Sequence, residues 1–466
     1  MQFKKIFDNI IWIAIDYIGF QFINLIIQIF LARLLSPSDF GVLSIIVVFL
    51  AIFNVFFEQG IVNSMVINKI KSEDQLSSFY WISLFLGIIF TICLIILSYP
   101  IAVLLNNNHL IAPLQVISLC LISNSMLVVY KYLLLKDLKF KLQARITMFS
   151  ALISGIIGIY FAYIGYGYWS LIIKTLIMNI LLFLLMSITS TWKPKMHFNF
   201  LDIRMHIKTI IHIVSIAILE VLNSYALNIA IGKQYTIHQL GYYTNAQKFT
   251  QIFSNLIILL TNKMSLAKLP LLTHYKKQQI INNVTVIYTA ILIPISFLLL
   301  YLSPKLIYYV LGEQWLKSDK YFKVFILISF LNILVKNFVT LTEVINETKF
   351  LLKIEVSYKF FSLGGALLLV IMKINLINVL IFLLLSNLIY LIFFLQKYCF
   401  IESIKKIIIM MIFFFISSLT YFKFYYDKSF LLDIKYLPLV YFTIFLIIIN
   451  ILQIKNLIFK SGEKYE

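Results

Sequence analysis

An all-α, polytopic membrane protein is the fold class this sequence predicts, on three observations. The chain is 62% hydrophobic and only 12% charged, against about a quarter charged in ordinary soluble proteins. Its apolar residues gather into about fourteen runs of roughly 18 to 25 residues, the length a helix needs to cross a hydrocarbon core of about 30 Å. The runs are unbroken rather than alternating, so they satisfy their backbone groups as helices and not as the strands of a membrane barrel.

Taken in order, the spans are expected to begin near residues 9, 40, 78, 110, 143, 167, 207, 241, 284, 321, 350, 374, 405 and 436. The first, from Ile10 to Leu31, follows MQFKK but reads as a retained span and not a cleaved leader. It holds Asp16, Gln21 and Gln28 and runs into LARLLSPSDFG without a small-residue cleavage site. Polar breaks near 191–208, 263–283 and 422–437 are connectors, which leaves no room for a sizeable aqueous domain. Aromatic residues cluster at span ends, as in Tyr163, Tyr166, Tyr168 and Trp169, where amphipathic rings suit the headgroup layer. Cys93, Cys120 and Cys399 lie in apolar runs without CxxC spacing or histidine partners, which argues against a disulfide or a metal. No cofactor is expected.

The formal charge of +20 is a matter of topology. With the N-terminus inside, about 25 of the 39 Lys and Arg fall on the cytoplasmic side and about 10 opposite, as the positive-inside rule requires. Both termini are therefore expected in the cytoplasm. A nucleic-acid partner is excluded, since it would need an extended basic aqueous face.

The two halves repeat each other. ARLLSPSDFGVLS (32–44) matches GKQYTIHQLGYYT (232–244) at an offset of 200, pairing Arg33 with Lys233, Ser36 with Thr236 and Gly41 with Gly241. At an offset of 210, DLKF (137–140) matches ETKF (347–350), and Gly155 meets Gly365. Such an internal duplication implies two six-helix lobes, 1–205 and 206–400, followed by two additional transmembrane helices in 401–466. An even number of helices per copy gives both lobes the same orientation, with a cleft expected between them, as in rocking transporters.

The run LARLLSPSDFGVLSIIVVFLAIFNVFFEQGIVNSMVINK (31–69) resembles the opening of bacterial polysaccharide flippases of the O-antigen and colanic-acid type. LLLKDLKFKLQAR (133–145), GYYTNAQKF (241–249) and VLGEQW (310–315) resemble the lipopolysaccharide exporter branch in the same order. This branch belongs to the multidrug, oligosaccharidyl-lipid and polysaccharide exporter superfamily, so the resemblance implies two six-helix bundles around a central cavity. It also implies a bacterial inner-membrane location and an undecaprenyl-pyrophosphate-linked oligosaccharide as cargo, with other polysaccharide-assembly proteins as partners. One departure stands out. Many relatives carry an acid before the "IIGK" element, whereas here Leu227 occupies that place in ALNIAIGK (226–233).

Charges inside apolar spans are costly unless they pair, snorkel or face water, so each marks a candidate site. Lys248, Lys174 and Lys336, with Arg33 and Lys233 at the rim, are candidates to replace the water that a diphosphate loses in the bilayer. Asn24, Gln28, Asn223, Ser224 and Asn228 have the amides and hydroxyl to bond sugar hydroxyls, or to join helix to helix. Among Asp16, Glu58, Glu220, Glu343 and Glu355, Glu220 lies nearest mid-span and is the candidate for ion coupling, or for pairing with a lysine such as Lys248.

The resulting expectation is a non-enzymatic flippase, driven by an ion gradient or the membrane potential, since the sequence contains no GxxxxGK[ST] loop. Two other classes stay open. A membrane glycosyltransferase or polysaccharide polymerase would need a larger aqueous loop, and a small-cation drug exporter of the same fold would need an acidic lining.

Overall fold

The computed structural model of the chain describes residues 2–398, apart from 71, 269–273 and 346. The described residues are mostly helical, with no strand among them. The first twelve expected spans each fall on a helix. They are α1 (Gln2–Leu34), α2 with a π-turn and short α3 (Pro37–Val55, Phe56–Val62, Asn63–Ile67), α4 (Glu73–Leu104), α5 (Ile111–Lys136), α6 (Phe140–Tyr163), α7 (Tyr168–Thr189) and α8 (Phe200–Gln234). The series continues with α9 (Ile237–Lys268), α10 (His274–Leu306), α11 (Asp319–Val344), α12 (Thr348–Ile371) and α13 (Leu376–Tyr398). Ten helical stretches among them are long and apolar enough to cross a membrane. The spans expected near 405 and 436, and Cys399, lie outside the described residues; Cys93 and Cys120 are free thiols.

Most helices begin before their apolar run does, because a hydrogen-bonded backbone continues into the headgroup layer. α8 starts at Phe200 where its apolar run starts near 207, which reduces the expected 191–208 connector to residues 190–199. That connector is pinned to α4. Trp81 Nε1 donates to the Lys195 carbonyl at 2.7 Å, the Asn199 amide donates to Ser78 Oγ at 3.1 Å, and Lys195 Nζ lies 2.7 Å from Glu73. The bond and charge of Glu73 hold the Lys195 amine above its ordinary pKa. Trp192 tucks between Tyr80 and Tyr130 with edge-on ring contacts.

Compactness divides the chain elsewhere than at the expected 205/206 boundary. Unit 1 holds 1–245 with 310–315, and unit 2 holds the remainder. The reason lies in α8, whose buried residues Val214 and Ala217 pack with Val55 of α2, so the helix that opens the second repeat is built into the first unit. Within unit 1, α4 packs on α5, α1 on α6 and α6 on α7; within unit 2, α10 and α13 pack on a nearly buried α11.

The two stretches that match at an offset of 200 share a local geometry in unit 1. α2 opens with a capping box in which Ser36 N donates to Asp39 Oδ2 at 2.8 Å and Asp39 N to Ser36 Oγ at 3.4 Å. Two hundred residues on, α9 opens the same way. Thr236 N donates to Gln239 Oε1 and Gln239 N to Thr236 Oγ1, each at 3.2 Å. The two starts cross reciprocally. A Cβ on Gly41 would stand 2.2 Å from the Ile237 carbonyl oxygen, and one on Gly241 would stand 1.8 Å from that of Pro37. Ser44 Oγ and Thr244 Oγ1, equivalent in the repeat, lie 2.8 Å apart. Contact between equivalent residues is the mark of a local two-fold.

Candidate functional site

Lipid-facing surface is recognisable by its chemistry. α1 exposes Ile18, Phe22, Ile26 and Phe30 along one stripe, and α4 exposes Phe85, Ile88, Ile89, Ile92 and Ile96. The exposed stripe of α9 is different: Lys248, Gln251 and Asn255 follow one another at the i, i+3, i+7 spacing of a single helix face. α11 presents another. Nearly all of it is packed, and what stays open includes half-buried Ser329 and Asn332 with exposed Lys336 and Glu343, again on one face. Both stripes belong to unit 2. A stripe of amides and amines is unfavourable against hydrocarbon and favourable against water or a polar cargo. Sequence reasoning named Lys248 and Lys336 as candidates and did not name Gln251, Asn255 and Asn332, which stand at helical spacing from those lysines.

The other candidates fall in unit 1, and most have partners there. Gln28 Nε2 donates to Asn245 Oδ1 at 3.0 Å, tying α1 to the first turns of α9, and Asn24 Nδ2 donates to the Phe20 carbonyl of its own helix at 3.0 Å. Arg33 Nε donates to the Val310 carbonyl at 3.0 Å. Beside it, Gln314 Nε2 donates to the Ala32 and Leu35 carbonyls at 2.6 and 2.9 Å, and Trp315 Nε1 to Ala32 at 2.7 Å. The VLGEQW element thereby caps the C-terminal carbonyls of α1, which no later turn can satisfy.

Lys174 is half-buried, and its stem lies against Gly158 of α6, where an added Cβ would stand 2.9 Å from the lysine Cβ. On α8, Glu220 is exposed, Asn223 half-buried, and exposed Ser224 donates to the Glu220 carbonyl at 2.9 Å. Leu227 and Asn228 are buried; Asn228 Oδ1 has no donor among the described residues. Lys233, at the end of α8, is exposed on a cavity of about 660 Å³. Among the remaining acids, Glu58 in the π-turn pairs with Lys131 of α5 at 2.5 Å, and Glu355 with Lys359 at 3.1 Å. Asp319 and buried Lys323 form a further pair at 2.6 Å. The described residues include no cluster of histidine, cysteine and acid suited to a metal.

These features define a multi-pass helical membrane protein with polar faces on two of its helices. The fold is that of the lipid II flippase MurJ in an inward closed conformation, with a TM-score of 0.73 at 17% identity over 97% of this chain and 99% of that one. Residues 30–320 match the family of polysaccharide biosynthesis proteins, and the chain belongs to it. It is 30% identical over 141 residues to an uncharacterized membrane protein in the cps region of Klebsiella pneumoniae, covering 30% of this chain and 29% of that protein. Over 314 residues it is 20% identical to the succinoglycan biosynthesis transport protein ExoT of Rhizobium meliloti, covering 67% of this chain and 64% of that protein. The matched stretches thus span less than two thirds of either relative.

Proposed function

We propose that this protein is a flippase of the bacterial inner membrane, carrying an undecaprenyl-pyrophosphate-linked oligosaccharide to the outer leaflet by alternating access. The observation that carries the reading is the pair of polar stripes in unit 2, which set Lys248 and Lys336 on the same helix faces as amide side chains. The two amines meet the diphosphate as it loses water, and Gln251, Asn255 and Asn332 bond sugar hydroxyls. Lys174 and Lys233 add positive charge in unit 1, with Arg33, Asn24, Gln28, Asn223, Ser224 and Asn228 as further polar contacts. Glu220, exposed on α8, is the coupling carboxylate.

No covalent step is needed, and the tail stays in lipid throughout. Family membership, the naming of ExoT as a transport protein and that of MurJ as a flippase support the same reading. Other polysaccharide-assembly proteins are the expected partners, and both termini are expected in the cytoplasm. The test is glycolipid topology in a deletion strain lacking redundant exporters. Substrate should accumulate in the inner leaflet and be released on complementation; arrival outside at the wild-type rate would end the proposal.

A further inference from the structure

The cavity of about 660 Å³ opens at the end of unit 1 where the α1–α2, α4–α5, α6–α7 and α8–α9 connections meet. Its volume lies within the roughly 300–1,000 Å³ typical of small-ligand sites. Both repeat copies line it, and they bring different chemistry: Asp39 comes from the first copy, Lys233 and His238 from the second. The α4–α5 connection adds Asn107 and His109, and the α6–α7 connection adds Tyr168.

What these groups have free decides what they bind. Asp39 is the one carboxylate in the lining, and it is engaged. Its Oδ2 accepts from Ser36 N at 2.8 Å and Ser36 Oγ at 2.6 Å, while its Oδ1 lies where a Cβ on Gly167 would be 3.1 Å away. Asn107 Oδ1 accepts from the His109 amide at 3.1 Å, which leaves the Asn107 NH₂ for a ligand. Lys233 makes no ion pair among the described residues and is exposed, as are His109 and His238. The available set is therefore an ammonium, an amide NH₂, two imidazoles and the hydroxyl and ring face of Tyr168. It is rich in donors, and its fixed negative charge is already bonded.

A ligand complementary to this set offers hydroxyls, a negative group for Lys233 and an apolar ring face for tyrosine. We propose that the cavity binds an acidic sugar unit, a pyranose bearing a carboxylate. With the N-terminus inside, the cavity lies on the exit side, where it receives the glycan as it leaves the membrane. The proposal rests on the glycan-flippase reading for its biological meaning, and its test does not.

The experiment is saturation-transfer NMR on the purified full-length chain in lipid nanodiscs, with glucuronate, glucose and inorganic phosphate as probes. Glucuronate should bind saturably, glucose at least tenfold more weakly, and phosphate should fail to displace it. Lys233→Gln should weaken glucuronate at least tenfold and Lys233→Arg should retain it, with unchanged melting showing that both variants fold. Lys248→Ala should leave glucuronate binding intact even as it impairs transport. Equal binding of glucose and glucuronate overturns the proposal, as does displacement by phosphate, the mark of a phosphate or headgroup site, or the absence of saturable binding. Failure of the transport reading would instead appear as normal glycolipid export in the deletion strain, with the NMR result untouched.

Discussion

In unit 1, Gln28 is bonded to Asn245, Asn124 to Asn54 and Lys131 to Glu58, each pair joining two different helices. In unit 2, Lys248, Gln251 and Asn255 on α9 and Lys336 on α11 stay exposed. The contrast runs within a single helix. On α9, Asn245 is buried and accepts from Gln28, while Lys248, three residues on, lies on the open face. A polar side chain on these helices is thus either bonded to a neighbouring helix or left exposed, and its immediate neighbours decide which.

The most severe way to break the arrangement is at the crossing where α9 begins. A Cβ at position 241 would meet the Pro37 carbonyl oxygen at 1.8 Å, and backbone cannot swing aside as a side chain does. Overpacking of side chains alone costs about 1–3 kcal/mol, so Gly241→Ala should exceed that and yield little folded protein by size-exclusion chromatography. Recovery at the wild-type level with unchanged melting would show that α2 and α9 do not cross here.

Lys248→Ala tests the open face. Transport of the lipid-linked glycan should fall about tenfold or more, equivalent to about 1.4 kcal/mol, while melting stays at the wild-type temperature because no partner loses a bond. A fall in stability with transport per folded molecule preserved would move Lys248 to the class of helix-joining residues.

Much of this was legible in the sequence. Twelve helices fall where apolar run length put them, and the capping boxes of α2 and α9 are the ones the 200-residue offset aligned. Run length fixes helices because the bilayer offers the backbone no other partner. The π-turn at Phe56–Val62 was not legible, since no residue of FFEQGIV marks the change in helical hydrogen bonding. Nor was the boundary at 245, because whether α8 packs with α2 is decided by the fit of Val214 and Ala217 against Val55, which periodicity does not encode. The open stripes were half-legible. A lone lysine draws notice by its charge, whereas Gln251 and Asn255 gain meaning only from standing on the same face.

Asn124→Leu sharpens the other side of the contrast. It leaves Asn54 Oδ1 without the donor now 3.0 Å away, at a cost of about 1 kcal/mol given the modest worth of interhelical bonds in membranes. Melting should drop, and transport per folded molecule should hold. Loss of transport at unchanged stability would mean that this amide serves the cargo after all.

The smallest effect belongs to the Ser44–Thr244 contact, because each hydroxyl keeps a second partner. One hydroxyl donates across the pair while the other donates to its own helix, Ser44 Oγ to the Phe40 carbonyl at 2.6 Å or Thr244 Oγ1 to that of Leu240 at 2.9 Å. Ser44→Ala therefore strands no donor, and the loss is limited to one bond worth about 0.6 kcal/mol. A double-mutant cycle with Thr244→Val should return a coupling energy of that order, since only the shared bond is counted once the separate losses cancel. Zero coupling would mean that equivalent residues of the two copies do not meet, and the local two-fold at the start of α9 would have to be given up.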